Sequence, residues 1–129
     1  MDKELICLDT SILIDYYRKK NKSKTKFVLL AKKYKFSISV ITKLEILAGV
    51  RGDQLAFWNI IFEKIDILPL SEKDVEVAAN IIQTLTRKNK IIGLKDILIA
   101  STAISNGLKI STLNQKDFIR IENLRLIED

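Results

Sequence analysis

Two hydrophobic periods alternate along the chain, and each change from one to the other marks an element. Leu5–Leu8 is a short apolar run that predicts a buried strand ending at Asp9. Thr10 and Ser11 then offer helix-start hydroxyls, and Ile12, Leu13, Tyr16 and Tyr17 follow at helical spacing. Phe27, Leu30, Ala31 and Tyr34 recur with a helix period, and Phe36–Val40 predicts a second strand. Ile41, Leu44, Leu47 and Ala48 form a helical stripe that stops at Gly49, read as its C-terminal cap. Asp53–Lys64 predicts another helix, carrying Phe57, Trp58 and Phe62, and Ile65–Leu70 a third strand. Ser71 and Asp74 have the spacing of a capping box, ahead of Val75, Ala78, Ala79, Ile82 and Leu85. Beyond the polar link Arg87–Lys90, Asp96 opens a helix that is apolar nearly all round over Ile97–Ile104 and ends at Asn106 and Gly107. Lys109–Leu113 predicts a fourth strand, Lys116–Ile119 a helical turn and Leu124–Ile127 a fifth strand.

Short strands alternating with helices predict an α/β fold whose mostly parallel sheet is covered on both faces. The 129 residues contain no repeat or linker, so one domain over 1–129 is expected. An apolar share of 47% with four glycines and one proline is a folded, globular composition. No apolar run approaches the ~20 residues that span a bilayer, so no membrane association is expected. The opening MDKELICLD carries charges where a signal peptide needs its apolar stretch. Cys7, the one cysteine, excludes an internal disulfide and reads as a buried, reduced thiol. A cytoplasmic protein is the simplest expectation.

Net charge is +6, and the excess is uneven. The run RKKNKSKTK, from Arg18 to Lys26, holds six basic residues and no acid. It suits contact with nucleic-acid phosphates as well as it suits a solvated loop. Lys20, Lys22 and Lys24 are its candidate RNA contacts. The absence of histidine excludes Ser-His-Asp and Cys-His catalysis, a histidine zinc ligand and a His-His pair for RNA cleavage. Any strong metal site must therefore use oxygen ligands, which suit Mg²⁺ or Mn²⁺.

Most of the sixteen acids lie in mixed, polar surroundings and read as surface charges; four do not. Asp9 directly follows a buried strand, where open α/β sheets bind ligands, although it equally suits an N-cap. Glu45 sits between Leu44 and Ile46 at the edge of a buried stripe, or pairs at the surface with Lys43 or Arg51. Asp96 starts the most hydrophobic helix, where the helix dipole favours an anion even without a chemical role. Asp117 lies in the turn after the fourth strand beside Asn114, a place that also suits a turn-forming Asp. Carboxylates gathered at one end of a sheet repel one another until one takes a proton or a cation joins them. Beside a basic surface, such a pocket points to a phosphodiester substrate.

The segments LDTSILID (Leu8–Asp15), SVITKLEILAG (Ser39–Gly49), LKDILIASTAISNG (Leu94–Gly107) and STLNQKDF (Ser111–Phe118) occur in an order and spacing that resemble the PIN-domain ribonucleases. Closest are the compact toxins of VapBC-type toxin–antitoxin systems. The resemblance covers nearly the whole chain. It implies a three-layer α/β/α PIN fold with a central, mostly parallel five-stranded sheet of order 3-2-1-4-5. It also implies an endoribonuclease dependent on Mg²⁺ or Mn²⁺ that hydrolyses RNA phosphodiesters with a metal-activated water, leaving 5′-phosphate and 3′-hydroxyl ends. By the same resemblance Asp9, Glu45, Asp96 and Asp117 are catalytic and hold the metal, with Thr10, Ser11 and Asn114 in support. The implied partners are RNA, a cognate antitoxin covering the active site and a second copy of the chain in a homodimer. Phe57, Trp58 and Phe62 are expected either to line the antitoxin groove or to pack in the core. A non-catalytic PIN-like module that binds RNA or protein is the alternative reading.

Overall fold

The computed structural model describes residues 2–128. The predicted strands lie side by side because their apolar runs are buried on both faces. Strands β1 (Glu4–Leu8), β2 (Tyr34–Ser39), β3 (Asp66–Leu68) and β4 (Ile110–Ser111) form one sheet in the order β3-β2-β1-β4. Every pairing is parallel, with Glu4 opposite Tyr34, Ser37 opposite Asp66 and Leu8 opposite Ser111. The connecting helices are α1 (Thr10–Arg18), α2 (Lys26–Ala31), α3 (Val40–Gly49), α4 (Gln54–Lys64), α5 (Glu72–Arg87), α6 (Leu94–Ser105) and α7 (Gln115–Phe118). A 3-10 turn, Lys22–Lys24, separates α1 from α2.

The pleat divides the core in two. Ile6, Leu8, Phe36 and Ile38 face one way and pack with Ile12, Leu13, Ile46 and Trp58 from α1, α3 and α4. Cys7 and Ile110 face the other way, against Ala78, Ile97, Ala100 and Phe118 from α5, α6 and α7. Because all strands are parallel, their carboxyl ends share one edge, and Asp9 leaves the sheet there beside β4.

Several expectations are corrected. The sheet has four strands rather than five. Leu124–Ile127 contributes a single parallel bridge, Ile110 with Leu126, held by Ile110 N–H to Arg125 O (2.9 Å) and Ile127 N–H to Ile110 O (2.8 Å). With β4 only two residues long, no ladder is available to extend that bridge. Gly49 is the last residue of α3 rather than its cap, and Val50 closes the helix through Leu47 O. The left-handed turn falls at Gly107 instead (φ 67°), ending α6 where expected.

Trp58 and Phe62 are buried, and Trp58 contacts Tyr17, Phe57 and Phe62, so the aromatic cluster is core. Asp74 is not a surface charge: it is 1% exposed. It forms the expected capping box with Ser71 and also accepts from Thr102 (3.0 Å) and Ser105 of α6. Burial raises the Asp74 pKa, but the bonds from Ser105, Ser71 and Thr102 outweigh it and hold the carboxyl below its ordinary range. Among the described residues no helix is long and apolar enough to cross a membrane.

Candidate active site

Asp9 is where β1 becomes α1, and it is 4% exposed. It does cap α1: Oδ1 accepts from Ser11 N–H (3.1 Å) and from the Ser11 hydroxyl (2.5 Å). Its other oxygen, Oδ2, accepts from the Thr112 hydroxyl at 2.8 Å. The two hydroxyls are themselves aimed by backbone, since Ser11 Oγ accepts from Leu113 N–H (3.0 Å) and Thr112 Oγ1 from Asn114 N–H (2.8 Å). Asp9 is thus clamped between the start of α1 and the loop leaving β4. Burial raises its pKa by more than these bonds lower it.

Glu45, half-buried on α3, takes none of the surface pairings considered for it. Its Oε1 accepts from the Thr10 hydroxyl at 2.8 Å, and that hydroxyl lies 3.1 Å from Thr42. Lys43, its candidate partner, instead sits over the Phe62 ring, 5.3 Å from its centroid. Asp117 Oδ2 accepts from the Asn114 amide (3.0 Å), and Oδ1 lies 3.9 Å from Arg120.

Asp96 stands in the first turn of α6, three residues after the N-cap Gly93, and caps nothing. Among the described residues no donor reaches its carboxylate. Its pKa is raised, first by burial and then by the charges of Asp9, Glu45 and Asp117, with Lys95 partly offsetting them. The four carboxylates predicted from sequence are therefore electrostatic neighbours at one edge of the sheet. Among the described residues, no three acids close on a common point at ligating distance.

Of the residues expected in support, Thr10 donates to Glu45, Ser11 to Asp9 and Asn114 to Asp117. Thr112 was missed by the sequence reading. It lies within the predicted strand Lys109–Leu113 but beyond the observed β4, and its contact with Asp9 spans 103 residues, which no local pattern marks. Lys20, Lys22 and Lys24 lie beyond the far end of α1, away from the carboxylates. Lys20 and Lys24 are exposed. Lys22 is not free to meet a phosphate: its ammonium donates to Tyr16 O (2.7 Å), Tyr17 O (2.8 Å) and Lys19 O (3.1 Å).

A groove lined by Ile14, Tyr17, Arg18, Glu45, Val50 and Trp58 runs between α1, α3 and α4. It reaches the acidic cluster at Glu45.

Comparison with known proteins agrees with this geometry. The PIN domain family model matches residues 6–124. Ribonuclease VapC1 of Rickettsia felis is 36% identical, over 95% of this chain and 94% of its own length. Ribonuclease VapC of Rickettsia bellii is 33% identical over the same shares. The crystal structure of VapBC2 from Rickettsia felis bound to a promoter DNA fragment superposes with a TM-score of 0.82, at 28% identity, covering 95% of this chain and 97% of that one. With the four acids on one edge of a 3-2-1-4 parallel sheet, and relatives of this extent, the chain belongs to the PIN-domain family, among the VapC ribonucleases.

Proposed function

We propose that this chain is a cytoplasmic, divalent-metal-dependent endoribonuclease and the toxin of a toxin–antitoxin pair. What supports the site assignment is Asp96, a carboxylate that no donor reaches among the described residues, in the fields of Asp9, Glu45 and Asp117. Such an arrangement is unfavourable alone and favourable around a cation. The donors are carboxylate oxygens flanked by hydroxyls, with no nitrogen or sulfur ligand, so the set fits Mg²⁺ or Mn²⁺. Asp9, Glu45, Asp96 and Asp117 would hold the ion. Bound there, it would neutralise charge on the phosphate and acidify a water.

The chain's own residues supply the positioning. Ser11 and Thr112 fix both oxygens of Asp9, so its orientation is set before any ligand arrives. Thr10 holds one oxygen of Glu45 and leaves the other to orient the attacking water. Asn114 holds Oδ2 of Asp117, whose Oδ1 lies 3.9 Å from Arg120. Water attacks phosphorus opposite the departing 3′ oxygen, the P–O3′ bond breaks, and the 3′ oxygen takes up a proton. A 5′-phosphate and a 3′-hydroxyl result, and the 2′-hydroxyl takes no part. Exposed Lys20 and Lys24 are left as phosphate contacts.

A toxin–antitoxin complex from Klebsiella pneumoniae is similar to this chain (25% identity, TM-score 0.71), covering 92% of this chain and 94% of that one. This supports an antitoxin whose segment fills the α1/α3/α4 groove and reaches Glu45. A homodimer is proposed too, supported by exposed Ile82, Ile91 and Leu94 lining a groove beside α5 and α6. The buried thiol of Cys7 suits a reducing compartment.

The test is antitoxin-free protein incubated with structured RNAs, total tRNA included, in Mg²⁺, Mn²⁺ or EDTA. Discrete cuts that need metal and vanish in Asp9→Asn and Asp96→Asn bear the proposal out. Cutting that survives EDTA or either substitution overturns it. Metal binding without cleavage of any RNA favours a non-catalytic module.

A further inference from the structure

We propose that the amino-terminal edge of the sheet is a second RNA-backbone surface, in which Lys32, Lys33, Lys35 and Lys64 hold phosphates around Tyr34. The inference rests on RNA being the substrate, and it adds a surface remote from the carboxylates.

The parallel register assembles this edge from three strands. Lys35 lies opposite Leu5, and Lys33 precedes Tyr34, which lies opposite Glu4. Lys64 stands two residues before Asp66, the partner of Ser37, and so beside Lys35. All four lysines are exposed. Among the described residues none of them has an acid within ion-pair distance, in contrast to Lys19, Lys88 and Lys109. The edge thus gathers four exposed lysines that form no ion pair among the described residues, with Glu128 and Asp2 as the acids that line the grooves beside them.

Tyr34 gives the patch a further property. It is half-buried and lines two adjoining grooves, one with Lys26, Lys32 and Lys33, the other with Lys3, Lys35 and Lys64. Among the described residues, Glu128 is the acid that lines the first groove and Asp2 the acid that lines the second. Cations flanking an aromatic ring suit a nucleic-acid strand, whose phosphates take the charges and whose bases stack.

Separation from the carboxylates completes the case. The five residues of β1 put about 17 Å between the two edges, and the Debye length is about 8 Å at physiological salt. Repulsion between RNA and the acidic edge is therefore screened at the basic one. A folded RNA long enough to reach both edges gains attraction at one while presenting a phosphodiester to the other. A short oligonucleotide reaches only the acidic edge.

The test combines Lys32→Gln, Lys33→Gln and Lys35→Gln. Binding of a structured RNA is measured in EDTA across a salt series, and cleavage is measured separately on that RNA and on a short oligonucleotide with the same cut site. The proposal expects affinity for the structured RNA to fall about tenfold, and the slope of log K against log salt to shrink by about 2, at ~0.7 per lost contact. It expects short-oligonucleotide cleavage and the melting temperature to stay unchanged. Tyr34→Leu should weaken binding of unpaired RNA several-fold while leaving the salt slope alone. An unchanged slope, or an equal loss on the short substrate, overturns it. So does tighter binding of duplex DNA or anionic vesicles than of RNA, lost on the same substitutions. If the unaltered protein cuts neither RNA, the ribonuclease reading fails at this site, and the binding slope still decides whether the basic edge holds RNA.

Discussion

Thr112 Oγ1 donates to Asp9 Oδ2 at 2.8 Å, joining residues 103 positions apart. With Ser11 on the opposite oxygen, this bond leaves Asp9 no rotational freedom. The acid is also buried, so loss of the Thr112 hydroxyl leaves Oδ2 desolvated and unsatisfied, whereas Oδ1 would keep the Ser11 N–H if the Ser11 hydroxyl were lost.

Thr112→Val keeps the volume and removes the donor. Apparent Mn²⁺ affinity should fall 10–100-fold, as is typical when a group supporting a metal ligand is lost. The melting temperature should drop by only a few degrees. Mn²⁺ titration calorimetry and a thermal melt separate the two effects, and unaltered affinity would refute a positioning role.

Asp96→Asn should abolish cleavage and yet stabilise the metal-free protein. In that state the Asp96 charge faces three like charges that Lys95 only partly offsets, and among the described residues no donor reaches it, so removing it relieves repulsion. The melting temperature in EDTA should rise, and Mg²⁺ should add less to it than in the unaltered chain. A lower melting temperature in EDTA would mean that Asp96 holds the fold together through a contact that an amide cannot make.

Asp74 ties stability to pH. Its folded pKa lies below the ordinary value, so its contribution is fully present above about pH 4 and is lost as pH falls through the folded pKa. Asp74→Asn should flatten the decline of stability as pH falls below about 4, and at pH 7 it should cost about 2–3 kcal/mol of unfolding free energy. Urea midpoints across that pH range give both numbers.

Local pattern and long-range contact differ in how far the sequence reveals them. Asp9 was legible because an apolar run ends on it, and Asp96 because it interrupts apolar surroundings. The spacing of Ser71 and Asp74 disclosed the capping box, but the bonds that Asp74 accepts from Thr102 and Ser105 cross about thirty residues and leave no local mark. Thr112 was hidden for the same reason. The fifth strand failed differently: Leu124–Ile127 has a strand's composition, but strand content is decided by its neighbour, and β4 is too short to pair with it.

Cys7 should be inert. Burial, and secondarily the charge of Asp9, push its thiol up to about 12, and only the thiolate reacts quickly. Iodoacetamide at pH 8 should leave the native chain unmodified and add one group after denaturation, read by mass spectrometry. Rapid native labelling would show that β1 opens locally.

Lys22 should act on stability and hardly at all on RNA binding. Its ammonium takes up three carbonyls at the end of α1, where the helix dipole favours a cation. It also lies 5.1 Å from the Tyr16 ring centroid and 5.8 Å from those of Tyr17 and Phe57. Lys22→Met keeps most of the stem but removes the charge and its donors, which predicts a loss of about 1.5–3 kcal/mol in chemical denaturation. Lys20→Ala and Lys24→Ala remove exposed side chains and should each change stability by less than ~0.5 kcal/mol. RNA affinity should show the reverse order, falling with Lys20→Ala and Lys24→Ala and holding with Lys22→Met at temperatures where that variant is folded. If Lys22→Met alone lowered the salt slope of RNA binding, its ammonium would have to leave the helix end for a phosphate, and the capping role would be wrong.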